Sequence, residues 1–159
     1  MTDPAALQIR YATTADVETI VAFNYALALE SEQLSLDRSR LEAGVHALLS
    51  DPSKGRYFLA ERESKVVGQT MITYEWSDWR NGVFWWIQSV YVVPEARKHG
   101  VFKALFRHIE EEARRLGIVC GLRLYVEQHN QTALRTYERL GMERTAYQMY
   151  ECDFVIRRG

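Results

Sequence analysis

Apolar positions along this chain switch between a period of two and a period near four, and the switches mark its elements. Residues 8–11 alternate as a short strand, and Thr13, Thr14 and Asp16 supply helix-capping side chains. Val17, Ile20, Val21, Asn24 and Leu27 then recur at helical spacing. Residues 30–36 are polar and read as irregular. Asp37 is placed to cap a second helix carrying Leu41, Val45, Leu48 and Leu49, which stops at the turn cluster 51–55. Residues 57–62 and 66–74 read as a strand pair. A charged, aromatic loop over 75–80 precedes Asn81-Gly82, a dipeptide that tolerates positive φ, and then a long strand over 83–93. Beyond Pro94 the spacing predicts a helix over 103–116, with Leu105, Ile109, Ala113 and Leu116 on one face and Gly117 past its end. A strand over 122–127, a short helix over 130–140 and one or two strands within 142–154 complete the order βααβββαβαβ. A central mixed sheet with helices on both faces is the packing this order predicts.

Composition narrows the class. At 159 residues the chain is expected to be one domain, residues 1–159, able to bury a core without staples. With 47% hydrophobic and 26% charged residues, disorder and fibrous classes are excluded. The net charge of −1 argues against a polybasic nucleic-acid binder. Cys120 and Cys152 form no CxxC pair, and His46, His99, His108 and His129 lack HExxH spacing, so no metal site is expected. The start has no apolar signal core, and no apolar run reaches the roughly 18 residues of a membrane span. A cytoplasmic protein without membrane attachment is the expectation.

Candidate chemistry concentrates in residues 88–106, a strand, a proline, a basic turn with one glycine and a helix start. Such a unit aims several free backbone N–H groups at one spot, and the helix dipole adds positive potential there. Arg97, Lys98, His99 and Lys103 surround that spot, and Gly100 would let the backbone approach a ligand closely. The pattern suits a diphosphate, although a tight strand-to-helix turn kept wet by basic residues has the same sequence. Residues 97–108 hold four of the basic residues and no acid. No GxxxxGK[ST], GxGxxG or GxSxG occurs, so the P-loop, dinucleotide fingerprint and nucleophile elbow are excluded.

The segment Arg97-Lys98-His99-Gly100-Val101-Phe102 after a strand resembles motif A of the GCN5-related N-acetyltransferases (the GNAT superfamily). Residues 126–133, followed by Tyr137 and Gly141, resemble motif B. The aromatic loop and the Asn130-Gln131 pairing are similar to the spermidine/spermine (diamine) acetyltransferase-like branch. The resemblance implies an α/β (α+β) fold with a mixed, mostly antiparallel sheet. In it, two splayed parallel strands, here 83–93 and 122–127, form a wedge for acetyl-CoA. It further implies that Val90, Tyr91 and Val92 pair with the pantetheine arm. Backbone from Lys98 through His99, Gly100, Val101, Phe102 and Lys103 would hold the pyrophosphate, with Arg97 beside it. Asn130 would bond the pantetheine or neighbouring backbone, beside Ala133. An N–H at Val92 would stabilise the oxyanion, and Tyr137 would protonate the leaving thiolate; without the motif Tyr137 reads as a core aromatic.

Two positions depart from the family pattern. Phe102 replaces a small residue, so its side chain must point away from the phosphates. Gln88-Ser89 stands where the diamine branch has Glu-Asp, and a glutamine is no general base. A base is then expected elsewhere: Glu75 first, with Asp78, Glu30 and Glu32 as further candidates, all of which also read as solvated acids. Trp76, Trp79 and Trp86, with Glu30 and Gln88, are candidate acceptor contacts, since an aromatic wall attracts a cationic amine. Trp85 and Trp86 must face opposite sides of a strand. The expected activity is transfer of acetyl from acetyl-CoA to a primary amine of a small molecule, by direct attack in a ternary complex. The alternatives are a protein or peptide N-acetyltransferase and a non-catalytic acetyl-CoA sensor. A homodimer is expected from the resemblance.

Overall fold

The computed structural model describes residues 6–156. The chain divides into two compact units, residues 1–125 and 126–159.

In the first unit a five-stranded sheet runs in the order β1 (Gln8–Tyr11), β2 (Arg56–Arg62), β3 (Lys65–Ser77), β4 (Gly82–Val92) and β5 (Val119–Arg123). Every pair is antiparallel except β4 with β5, which is parallel. The mixed, mostly antiparallel sheet expected from the sequence is therefore the one observed. Helices α1 (Val17–Glu32) and α2 (Arg38–Ser50) cover one face, and α3 (Val101–Leu116) covers the other. Ile20 and Val21 of α1 and Val45 of α2 meet Tyr57 and Leu59 of β2 in one core layer. On the opposite face Leu105, Phe106, Ile109 and Ala113 of α3 are buried, the inward face predicted by their spacing. Leu116, expected on that face, is exposed at the helix end.

Boundaries moved where side-chain patterns carry little information. Helix α1 runs through Glu32 into the stretch expected to be irregular. It ends at Gln33, whose left-handed backbone returns its N–H to Ala28 and Leu29. Its last turn is polar because it faces water. Strand β3 extends to Ser77, so the first half of the expected loop is ladder, and residues 78–80 form the turn. The strand expected over 122–127 begins and ends earlier, at Val119 and Arg123.

The second unit carries α4 (Gln131–Arg139), which Asn130 caps by accepting the Ala133 N–H at 3.1 Å. The strands expected within 142–154 do not form among the described residues. At the end of that stretch, Asp153 accepts the N–H groups of Val155 and Ile156, just beyond it, in a local turn. Tyr147, Met149, Tyr150 and Phe154 are exposed.

Candidate active site

The site begins with a strand that loses its neighbour. β5 pairs with β4 only from Val83 to Trp86, so beyond Trp86 one edge of β4 has no partner strand among the described residues. Between Gln69↔Tyr91 and Met71↔Gln88 the register slips, and Ser89 and Val90 together face Thr70. This is a β-bulge with Ser89 at φ +51°, and a bulge bends its strand and raises local twist.

A buried polar network fixes the bulge. Gln69, with no exposed surface, donates from Nε2 to Asn24 Oδ1 at 2.8 Å and to the Ser89 carbonyl at 3.1 Å. Asn24 donates to the Tyr57 hydroxyl at 2.8 Å. Burial pushes the Tyr57 phenol up from its ordinary value, with Asn24 and Ser89 partly opposing the shift. Thr70 donates to the Gln88 carbonyl at 3.1 Å, and Gln88 donates to Thr73 Oγ1 at 2.6 Å. Neither Gln69 nor Tyr57 was singled out in the sequence. The available signal was Asn24, a polar residue inside an apolar stripe.

Past the bulge the backbone aims its groups outward. Val93 donates its N–H to Val67 O on β3. Strand alternation turns Val92 the opposite way, toward the side without a partner strand. The Val92 carbonyl accepts Arg97 Nε at 2.8 Å, and its N–H points to that same side. The chain then turns through Lys98 at φ +65° and Gly100 at φ +75° into α3. Gly100 makes no side-chain cap bond, so the first-turn amides of α3 are presented by backbone alone. Phe102 packs its ring beside buried Phe106 one turn on, at 6.3 Å between centroids. The backbone at the head of α3 and the side chains of Lys98 and Lys103 are placed where an anion could meet them.

Two of the four acids expected near an acceptor, Glu30 and Glu75, are held by arginines. Glu30 accepts Arg97 Nη2 at 2.7 Å, and Tyr91 donates to it at 3.4 Å. The Arg97 guanidinium also lies 5.5 Å from the Tyr91 ring centre. Burial, then the Glu30 charge, raises the Tyr91 phenol. Glu75 is paired with Arg123 of β5. Asp78 sits at the exposed hairpin tip and accepts the Trp79 N–H, and Glu32 is exposed at the end of α1. Trp85 is 5% exposed and meets Tyr74 edge-on, while Trp86 is half-buried beside Tyr125. Trp76 and Trp79 are exposed, Trp79 to 84%. Among the described residues no group of side chains could hold a metal ion, and no helix is long and apolar enough to cross a membrane.

In the second unit Tyr137 and Ala133 are half-buried on α4. Burial raises the Tyr137 phenol from its ordinary value of 10.0. Asn130, expected to bond pantetheine or neighbouring backbone, bonds the backbone of Ala133.

A family model described as the acetyltransferase (GNAT) family matches residues 21–142. The structure is similar to that of a possible acetyltransferase from Clostridium difficile 630, with 48% identity and a TM-score of 0.87. The match covers 94% of this chain and 99% of that one. It shares its fold with a predicted acetyltransferase with acetyl-CoA from Clostridium acetobutylicum, at 15% identity, TM-score 0.73 and coverage of 92% and 96%. It also shares the fold of a ribosomal-protein-alanine N-acetyltransferase from Brucella melitensis, at 18% identity, TM-score 0.75 and coverage of 97% and 100%. Among curated proteins nothing matches.

Proposed function

Because the chain belongs to the acetyltransferase (GNAT) family, we propose that this N-acetyltransferase uses acetyl-CoA to acetylate a primary amine of a small molecule in a ternary complex. The observation that carries the reading is the edge of β4 left without a partner strand beyond Trp86, running on into the left-handed turn at the head of α3. An extended thioester arm and a diphosphate fit those two features in that order.

Acetyl-CoA supplies an acyl carbon activated by a thiol leaving group. The chain's residues bind and position. Val90, Tyr91 and Val92 offer strand-edge backbone to the arm. The amides of residues 98–103, with Lys98 and Lys103, hold the diphosphate. Arg97, tied to the Val92 carbonyl, fixes the turn against the strand end. The neutral amine nitrogen attacks, the N–C bond forms and the C–S bond breaks. The amine's proton would leave to water, the Tyr137 hydroxyl would protonate the departing sulfur, and water would return a proton to the phenolate. The Val92 N–H donates to the acyl oxygen as charge builds there. Glu75 and Glu30, each held by an arginine, orient the site and are assigned no proton transfer.

Three measurements test this. Acetyl-CoA at a hundredfold excess over its Kd should raise the melting temperature through about 2.7 kcal/mol of linkage; no shift at millimolar cofactor would refute the binding site. Tyr137→Phe should lower kcat about 10²–10⁴-fold with little change in the KM for acetyl-CoA, and unchanged turnover would remove Tyr137 as the acid. Because burial raises this phenol, it stays protonated through neutral pH. The wild-type kcat should therefore show no falling limb below about pH 10.

A further inference from the structure

We propose that the acceptor amine carries an acidic group, a carboxylate at its far end, bound by Arg80 and Arg123 on the sheet face next to Gln88. The inference rests on the acetyltransferase reading and specifies its second substrate.

The face is formed by Glu75, Phe84, Trp86 and Gln88, flanked by Arg80 and Arg123. Phe84 is buried to 7%. The Arg123 guanidinium lies 3.6 Å and that of Arg80 4.9 Å from its ring centre. A guanidinium stacked on a ring keeps its in-plane N–H groups free for a carboxylate, and stacking fixes the fork before a ligand arrives.

The pattern of ion pairs points the same way. A polycation would need unpaired acids here. Glu30 is paired with Arg97 and Glu75 with Arg123. Among the described residues Arg80 forms no ion pair; it donates to Ser77 Oγ at 3.3 Å. Asp78, at the exposed tip of the same turn, accepts the Trp79 N–H, so the formal charges balance; what the face offers a carboxylate is the unpaired Arg80 guanidinium held over the Phe84 ring. Gln88, in place of an acid on the central strand, adds no negative charge.

Geometry sets a length. Arg123 lies opposite Trp86 in the β4–β5 register, two residues from Gln88, and Phe84 lies four residues from Gln88. At about 3.3 Å per residue the anionic end sits about 7–13 Å from the strand position nearest the splay. The Trp86–Tyr125 pair, with 6.1 Å between centroids, offers an apolar wall over that distance.

The test compares ω-aminocarboxylates of about four to ten carbons, chosen to span that distance, with diamines and alkylamines of equal length. Binding is measured by calorimetry with CoA present, and turnover by acetyl-CoA-dependent thiol release. The expected result is that longer aminocarboxylates bind at least about tenfold more tightly than matched diamines. Arg80→Gln should erase most of that preference through Kd and KM while leaving alkylamine binding unchanged, and Arg123→Gln, which also frees Glu75, should erase it while tightening amine binding. Glu75→Gln, which releases Arg123, should tighten carboxylate binding. Diamines binding as well as or better than aminocarboxylates would overturn the proposal, as would arginine variants that weaken alkylamines equally. An arginine-dependent carboxylate preference without thiol release from any amine would leave this site standing and refute the catalytic reading. Thiol release with a diamine preference would do the reverse.

Discussion

At the scale of single residues the site depends on groups that never meet the substrates. Gln69 is the clearest case. Its Nε2 serves two buried acceptors, and its own Oε1 is buried without a hydrogen-bond partner among the described residues. Gln69→Leu should remove both donations and leave Asn24 Oδ1 and the Ser89 carbonyl unpaired. Each stranded buried acceptor costs about 1–3 kcal/mol, so the melting temperature should fall by several degrees. The bulge should relax as well, raising the KM for acetyl-CoA. Thermal denaturation and initial rates check this, and a variant as stable and active as the parent would show that the network holds nothing. The turn at Gly100 ahead of α3 was legible beforehand, because a basic turn with one glycine between a strand and an amphipathic pattern marks a helix start. Gln69 was not, because one polar residue in an alternating strand looks like a solvent-facing position.

At the scale of elements, α3 and β3 are locked together at Gly68. A Cβ there would come within 2.8 Å of Val101 Cγ1, and Val101 is the first residue of α3. Gly68→Ala should therefore shift the head of α3, the turn proposed to hold the diphosphate. We expect a several-fold rise in the acetyl-CoA Kd with a modest loss of stability, about 1–3 kcal/mol for an overpacked contact. Unchanged affinity would mean that the helix absorbs the methyl elsewhere. The long strand β4 and helix α3 could be read from the sequence because their apolar periods are sustained. The bulge in β4 could not, since one extra residue is invisible in an eleven-residue strand. The expected strands within 142–154 failed for a different reason: alternation alone does not supply the partner edge that a strand needs.

At the scale of the whole molecule, a net charge of −1 conceals a local asymmetry. Residues 97–108 contain Arg97, Lys98, Lys103 and Arg107 and no acid. The structure halves that count. Arg97 is paired with Glu30 and Arg107 with Glu110, and Arg107 with Arg114 holds the Glu110 carboxyl below its ordinary range. Among the described residues Lys98 and Lys103 form no ion pair, which leaves two cations to meet a diphosphate. With so little overall charge, attraction of the cofactor must come from this turn and must be short-ranged. Screening tightens from about 10 Å at 0.1 M salt to about 3 Å at 1 M. The acetyl-CoA Kd should therefore rise only moderately, about fivefold, across that interval. An acetylated pantetheine lacking the nucleotide diphosphate should show almost no dependence, because it presents the turn with no charge. Glu30→Gln should steepen the acetyl-CoA dependence by releasing Arg97 as a third cation. Equal salt dependence for both thioesters would place the electrostatic contribution outside the turn and remove the basic segment as the diphosphate site.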